Sequence, residues 1–344
     1  MNRRSLPALV CASACAFAFL LPLNANAADS ALALLQAGVR APLTTSYTAQ
    51  VERIHFGARG SRQTLVRIEH LAPNATRRTY LAPEAFYGNT IVQRGNRRYE
   101  CDRHHHRFVI RVEHDPDDLS TAQNFALLAR NYRAEYGQDE MIAGYPVISL
   151  SLINRHTGEK TMSIWLERNT HLILSKVVFH RDGAVASEMR FEKLRYTNKL
   201  PANTFSTSAP SGYIVVTNNV ANRSQSAGSG ETDTNKPPTP IDPHFLPEGF
   251  ALIQTTYPTL QGVPFLHLLY SDGIRSLSIF ENQHNTPAGV NGFHAQSVKI
   301  GERDAQLVAD GANNLLTWQG AHSSFTLVGD LSKPELLKIA NSLR

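Results

Sequence analysis

Apolar and polar positions alternate along most of the first two thirds of the chain. Phe108, Ile110 and Val112 keep a period of two, as do Tyr145, Val147 and Ser149, the pattern of a strand with one buried face. Strand-like runs cover 45–56, 63–72, 89–102, 106–114, 145–155 and 160–170. A long pair within 171–197 turns at Asp182-Gly183, and Gly95-Asn96 and Thr157-Gly158 mark further turns. Only 31–39 and 121–130 read as helix here. Many successive antiparallel strands with few helices predict a large, strongly curved sheet. Such a sheet closes on itself, or it packs helices into its concave side and leaves an apolar cleft.

The last hundred residues carry a second pattern. Short strands begin after LPEGF (246–250) and continue to Leu327. LHLLYSDGIRSLSIF (266–280) reads as a hairpin turning on Asp272-Gly273. A two-residue loop there sets Leu268 opposite Leu277 and Leu266 opposite Ile279. Ser332 and Glu335 form a capping box before Leu336, Leu337, Ile339, Ala340 and Leu343, an apolar helix face. This predicts a small α+β unit closed by a helix, so the whole chain reads as α+β in two parts. Residues 217–243 are almost without apolar side chains and end in a Pro-rich tract. They read as a flexible linker between 28–216 and 244–344.

The N-terminus alters the setting. Arg3 and Arg4 precede an apolar run, Pro7 to Leu23, and then Ala25-Asn26-Ala27. This is the order of a cleaved signal peptide, 1–27, with the mature chain starting at Ala28; a membrane anchor is the other reading. The mature chain then holds one cysteine, Cys101, which suits a small buried hydrophobe better than a reactive thiol. Residues 28–216 carry 24 basic against 18 acidic side chains, and residues 244–344 carry 6 against 8. The basic half suits an acidic partner such as a lipid headgroup or an acidic peptide. Nucleic acid fits poorly with an exported chain.

Candidate chemistry is sparse. His104 and His106 would share one face of a strand, where two imidazoles with Asp102 or Glu100 could bind zinc. No HExxH or CxxC pair completes such a site, and we expect no metal and no cofactor. HDPDD (114–118) reads as a turn before the 121–130 helix, with Ser120 as its N-cap. No GxSxG elbow, P-loop or GxGxxG occurs, so a binding protein is expected rather than an enzyme such as an envelope hydrolase. Arginines at 94, 97, 98, 103, 107 and 111 are dense. Arg97, Arg98, Arg103 and Arg107 are the candidate anion-binding patch, since guanidinium groups suit phosphate and carboxylate.

Together TIVQRGNRRYE, WLERNTHLILSKVVFHRDG, LPEGF, LYSDGIRSLSIF and LVGDLSKPELLKIANSLR resemble the periplasmic RseB/MucB proteins. The resemblance spans essentially the whole mature chain. It implies an N-terminal domain like the lipoprotein carriers LolA and LppX, a half-barrel with helices over its mouth, and a smaller C-terminal domain. It also implies a periplasmic job. Such a protein binds the periplasmic part of a transmembrane RseA/MucA-like anti-sigma factor and shields it from site-1 protease. An envelope-stress sigma factor stays silent until lipid, or lipopolysaccharide, competes. Val92, Arg94 and Gly95, within the VQRG match, and Tyr270, Asp272 and Gly273, at the YSDG turn, are the candidate partner contacts; the turn residues equally suit a local role, Gly273 supplying positive φ and Asp272 an Asx-type turn bond. Phe125, Leu127 and Leu128 are candidates for the lipid cleft, as an inward helix face. A lipid or lipoprotein carrier is the alternative function, and a homo-oligomer a further candidate association.

Overall fold

A computed structural model describes residues 24–57, 60–112, 122–218, 241–260, 263–282, 294–309, 313–321 and 323–343. Most of the expected signal peptide, the HDPDD turn with Ser120, and most of the expected linker lie outside the described residues.

The first part is an α+β unit built on one sheet. Its elements in chain order are α1 (Asn24–Arg40), β1 (Tyr47–Gly57), β2 (Gly60–Leu71), β3 (Ala75–Ala82), β4 (Thr90–Arg94), β5 (Arg97–Asp102), β6 (Arg107–Val112) and α2 (Ala122–Asn131). There follow β7 (Tyr132–Tyr136), β8 (Glu140–Ile142), β9 (Tyr145–Asn154), β10 (Lys160–Glu167), β11 (Ile173–Phe179), β12 (Val185–Tyr196) and β13 (Ile214–Asn218). The thirteen strands form a large, open, curved sheet in the order β13-β6-β5-β4-β3-β2-β1-β12-β11-β10-β9-β7, with β8 also paired to β9. All pairs are antiparallel except β13 with β6.

The strand-like run 89–102 splits into β4 and β5 at the expected Gly95-Asn96 turn, where Gly95 takes a φ of +57°. Strands β3, β7, β8 and β13 escaped the sequence reading. In β3, ATRRTYLA, neither face is apolar, so no period-two signal exists. Strand β13 runs two residues into the stretch read as linker, and Ile241, near its other end, packs on the second core.

Two apolar clusters lie on opposite faces at the β7–β9–β10 end. In β9, Leu150 and Leu152 join one cluster while Val147 joins the other, as alternation requires. Helices α1 and α2 cover the first cluster through Ala31, Leu35 and Leu128, over Tyr132, Ile164 and Leu166. The second cluster runs along Tyr47, Ala49, Val51, Val66, Ile68 and Phe191.

The second part is also α+β. Its strands are β14 (Ala251–Thr256), β15 (Thr259–Leu260), β16 (Val263–Pro264), β17 (Leu266–Ser271), β18 (Ser276–Asn282), β19 (Ala295–Ile300), β20 (Arg303–Ala309), β21 (Asn314–Gln319) and β22 (Ser324–Gly329), followed by α3 (Lys333–Ser342). Seven form a sheet in the order β14-β17-β18-β22-β21-β20-β19. Helix α3 packs Leu336, Ile339 and Ala340 on it. Its capping box is present, with the Ser332 backbone N–H donating to Glu335 Oε2 at 3.0 Å.

The β17–β18 hairpin departs from expectation. Ser271 pairs with Ser276, so the loop holds four residues, Asp272–Arg275. Leu268 therefore faces Ile279, and Tyr270 faces Leu277. The cause is local hydrogen bonding. Asp272 Oδ1 accepts from the N–H groups of Ile274 and Arg275 at 2.9 and 2.8 Å, and Ser271 Oγ donates to the Arg275 carbonyl at 3.0 Å. The register moves by two residues, so the apolar face survives.

Buried His70 ties β2 to β3 and to the chain before β1. One ring nitrogen meets Thr76 Oγ1 at 2.8 Å and the other the Pro42 carbonyl at 2.7 Å. Burial holds its pKa below the usual 6.5. The unfolded chain therefore takes up this proton first as pH falls, and stability drops below about pH 6.5. In urea titrations at pH 7.5 and 5.5, we expect His70→Gln to lose less stability between the two than the wild type. An equal loss would show that His70 does not contribute.

Candidate functional site: an arginine-lined sheet face and a domain junction

Cross-strand register decides which side chains meet on the open part of the first sheet. Ala49, Ile68, Arg78, Ile91, Glu100, Val109 and Val216 lie opposite one another in one row. Beside it run Tyr47, His70, Thr76, Gln93, Arg98 and Arg111. Both rows occupy the face of the Tyr47–Phe191 core. They begin buried, with Tyr47, Ala49, Ile68 and His70 each under 8 % exposed, and from β3 outward are half-buried apart from buried Val109. Glu100 pairs with Arg98 at 2.7 Å and with Arg111 at 3.6 Å. It relieves the repulsion of two arginines set directly opposite. Burial pushes the Tyr47 phenol up to about 12, although Arg78 and Arg53 pull the other way. An apolar floor thus grades into a cationic surface.

The reverse face is occupied differently. Glu69, Arg77, Val92, Tyr99 and Ile110 share a row there. Arg77 Nη1 donates to the Thr204 carbonyl at 3.4 Å, which anchors the segment between β12 and β13. Val92 is buried on this side. Cys101 is half-buried, and burial pushes its thiol up.

The four arginines singled out from the sequence do not converge. Arg98 and Arg107 share the core-side face, Arg97 points to the other, and Arg103 lies in a turn, against Gly88. Arg98 instead shares its face with Arg111, Arg78 and Arg53. Arg78 lies on the unrecognised β3, which hid this grouping. Arg94 and Gly95 form the exposed β4–β5 tip. The three histidines are not a strand. Asp102 Oδ1 accepts from the N–H groups of His104 and His105, His106 takes a φ of +49°, and its ring stacks on Tyr213. Among the described residues no three His, Cys, Asp or Glu side chains gather as metal ligands.

The remaining candidates meet at the junction between the sheets. The tip of the β17–β18 hairpin inserts beside α2. Asp272, 1 % exposed, accepts a hydrogen bond from the Tyr132 hydroxyl at 2.7 Å. Burial and this carboxylate drive the Tyr132 pKa far upward, which keeps it a donor. Asn131 Nδ2 donates to the carbonyls of both Asp272 and Gly249, each at 2.8 Å. LPEGF and YSDG thus converge on one asparagine that the sequence did not mark. Gly273, at a φ of +104°, lies against the Leu128 backbone, where an added Cβ would sit 2.6 Å from the nitrogen. Buried Arg275 pairs with Glu159 at 3.2 Å and Asp330 at 3.4 Å, and Arg181 pairs with Glu335 at 2.7 Å. Tyr270 belongs to the second core. Leu128 and Phe125 pack with α1, β7 and β9, and Leu127 is buried. In this arrangement Tyr270 and Asp272 are buried rather than displayed, and Leu127 and Leu128 sit in packed interior rather than an open cleft.

Residues 59–209 match the MucB/RseB N-terminal domain, and residues 240–343 match a domain of unknown function, DUF4367. Residues 59–209 thus form a domain similar to the MucB/RseB N-terminal domain. The complex of Pseudomonas aeruginosa MucA and MucB is similar in fold at 16% identity, over 92% of this chain and 98% of that one, with a TM-score of 0.60. MucB in complex with MucA(peri) matches at 16% identity, over 91% and 98%, again at 0.60. A structure of MucB without a named partner matches at 16% identity, over 92% and 98%, at 0.52. No curated protein matches the chain.

The junction predicts an asymmetry between glycines. Gly273→Ala should destabilise by about 1 kcal/mol or more, from positive φ and the Leu128 contact together. Gly183→Ala, at a φ of +84° with open space around it, should cost less. Chemical denaturation of the two variants compares them; equal losses would mean that the hairpin tip is not closely docked.

Proposed function

We propose that this chain is a periplasmic regulator that binds the periplasmic part of a transmembrane anti-sigma factor. Bound there, it shields its partner from regulated proteolysis and so represses an envelope-stress sigma factor. One observation carries this reading: both parts of the chain together match MucB, and two of the matched structures hold MucB with MucA. The signal-peptide pattern of residues 1–27 supports export to that compartment.

Lipid relief fits the same molecule. The core-side face passes from Ile68 and Ile91 to Arg98 and Arg111, a sequence of apolar and cationic surface suited to an acyl chain with an acidic head. The same face would serve a lipid or lipoprotein carrier. The docked second domain favours the regulator, since carrying lipid gives Asn131 and Arg275 no reason to hold it.

Calorimetry with the periplasmic segment of the anti-sigma factor from the same genome should give saturable binding, micromolar or tighter on the order-of-magnitude scale of specific complexes. Bound segment should be cleaved more slowly by its protease. Absence of binding removes the regulator reading. For lipid, Arg98→Ala with Arg111→Ala should weaken co-sedimentation with anionic vesicles relative to wild type, and leave neutral vesicles unaffected. Unchanged anionic binding would move the lipid contact elsewhere.

A further inference from the structure

Strand β18 breaks its own pattern. Leu277 and Ile279 point into the second core, and the next residue on that face is Glu281. It lies opposite Leu266 on one side and Phe325 on the other. An acid at a core position costs stability unless its oxygens are satisfied. Only one is. Glu281 Oε1 accepts from Ser323 Oγ at 2.8 Å. Oε2 is buried and has no hydrogen-bond partner among the described residues, in a side chain whose residue is only 5 % exposed. Pinning the β21–β22 turn through Ser323 needs one oxygen, so this structural role leaves the second unexplained.

Glu281 lines a cavity of about 580 Å³ at the end of the second sheet, within the size range of small-molecule sites. Ile300, Phe325 and Leu343 give it apolar wall, Ser323 and Asn341 add polar groups, and Glu302 and Arg303 also line it. The last turn of α3 also borders it, and the carbonyl end of a helix favours positive charge. Among the described lining residues Glu302 and Arg303 offset each other, which leaves Glu281 and the helix end to set the sign. Burial holds the Glu281 acid above its usual range, although the Ser323 hydrogen bond pulls the other way.

We propose that this cavity is a binding site for a primary ammonium group on a short aliphatic stem, with Glu281 Oε2 as its acceptor and the apolar walls taking the stem. Neither the sheet face nor the domain junction contributes to it, so it stands apart from the proposed regulation. The ammonium can come from a free diamine or from a lysine side chain.

The test uses the full mature chain and two probes, cadaverine and Nα-acetyl-lysine methylamide, followed by calorimetry and by backbone chemical shifts of β18 and α3. Saturable binding of either, with shifts at Glu281 and Ser323, is the expected result, and the tighter probe identifies the source. Glu281→Gln keeps the shape and should weaken binding about tenfold or more, the usual effect of losing a charged partner. Ala321→Trp, at the exposed mouth, should weaken it while leaving the carboxylate in place. Failure of both probes to bind, or equal binding by wild type and both variants, overturns the proposal.

Discussion

The antiparallel register of β1–β6 places Arg78, Arg98, Glu100 and Arg111 on the same face as the Tyr47–Phe191 core. A one-residue slip in any of these strands would send its arginines to the other face. The register is held where one face is buried, at β1 and β2, and is transmitted outward through pairing. His70 helps fix it by bonding both Thr76 and Pro42. Strand β3, with no apolar face of its own, gains its orientation from the inner strands.

The junction relies on a different device. Among the described residues no broad apolar face joins the two units, although Ile274 packs on the first core. One hairpin tip, a helix end and a few ion pairs do so, with Asn131, Tyr132 and Arg275 at the centre. Two glycines with positive φ, Gly249 and Gly273, let backbone approach side chain and helix more closely than a Cβ would allow. Short motifs that look unremarkable singly are therefore joined by a common structural task.

Much of this was legible in the sequence, and the rest was hidden for definable reasons. Strands with alternating apolar residues, such as β6 and β9, and the capped helix α3 announced themselves. Strand β3 did not, because Arg77 and Arg78 point to opposite faces and neither reads as core. Without β3 the arginine rows could not be assembled, and the grouping offered from spacing mixed both faces with a turn. The hairpin loop was misjudged by two residues, since Asp272 and Ser271 bond to the backbone in a way that turn statistics do not weigh. Asn131 and Tyr132 carried no signal, because their partners lie more than a hundred residues away. Glu281 did carry one, an acid in step with Leu277 and Ile279, visible once the core face was known.

A seam stitched mainly by charge and hydrogen bonds behaves unlike one sealed by oil. When it parts, water can solvate Arg275, Asp272 and Asn131 in turn, and little greasy surface is laid bare to invite clumping. Salt would weaken the partly exposed Arg181–Glu335 pair more than the pairs made by buried Arg275. Each half keeps an apolar core of its own, so separation at this seam would leave both cores largely covered.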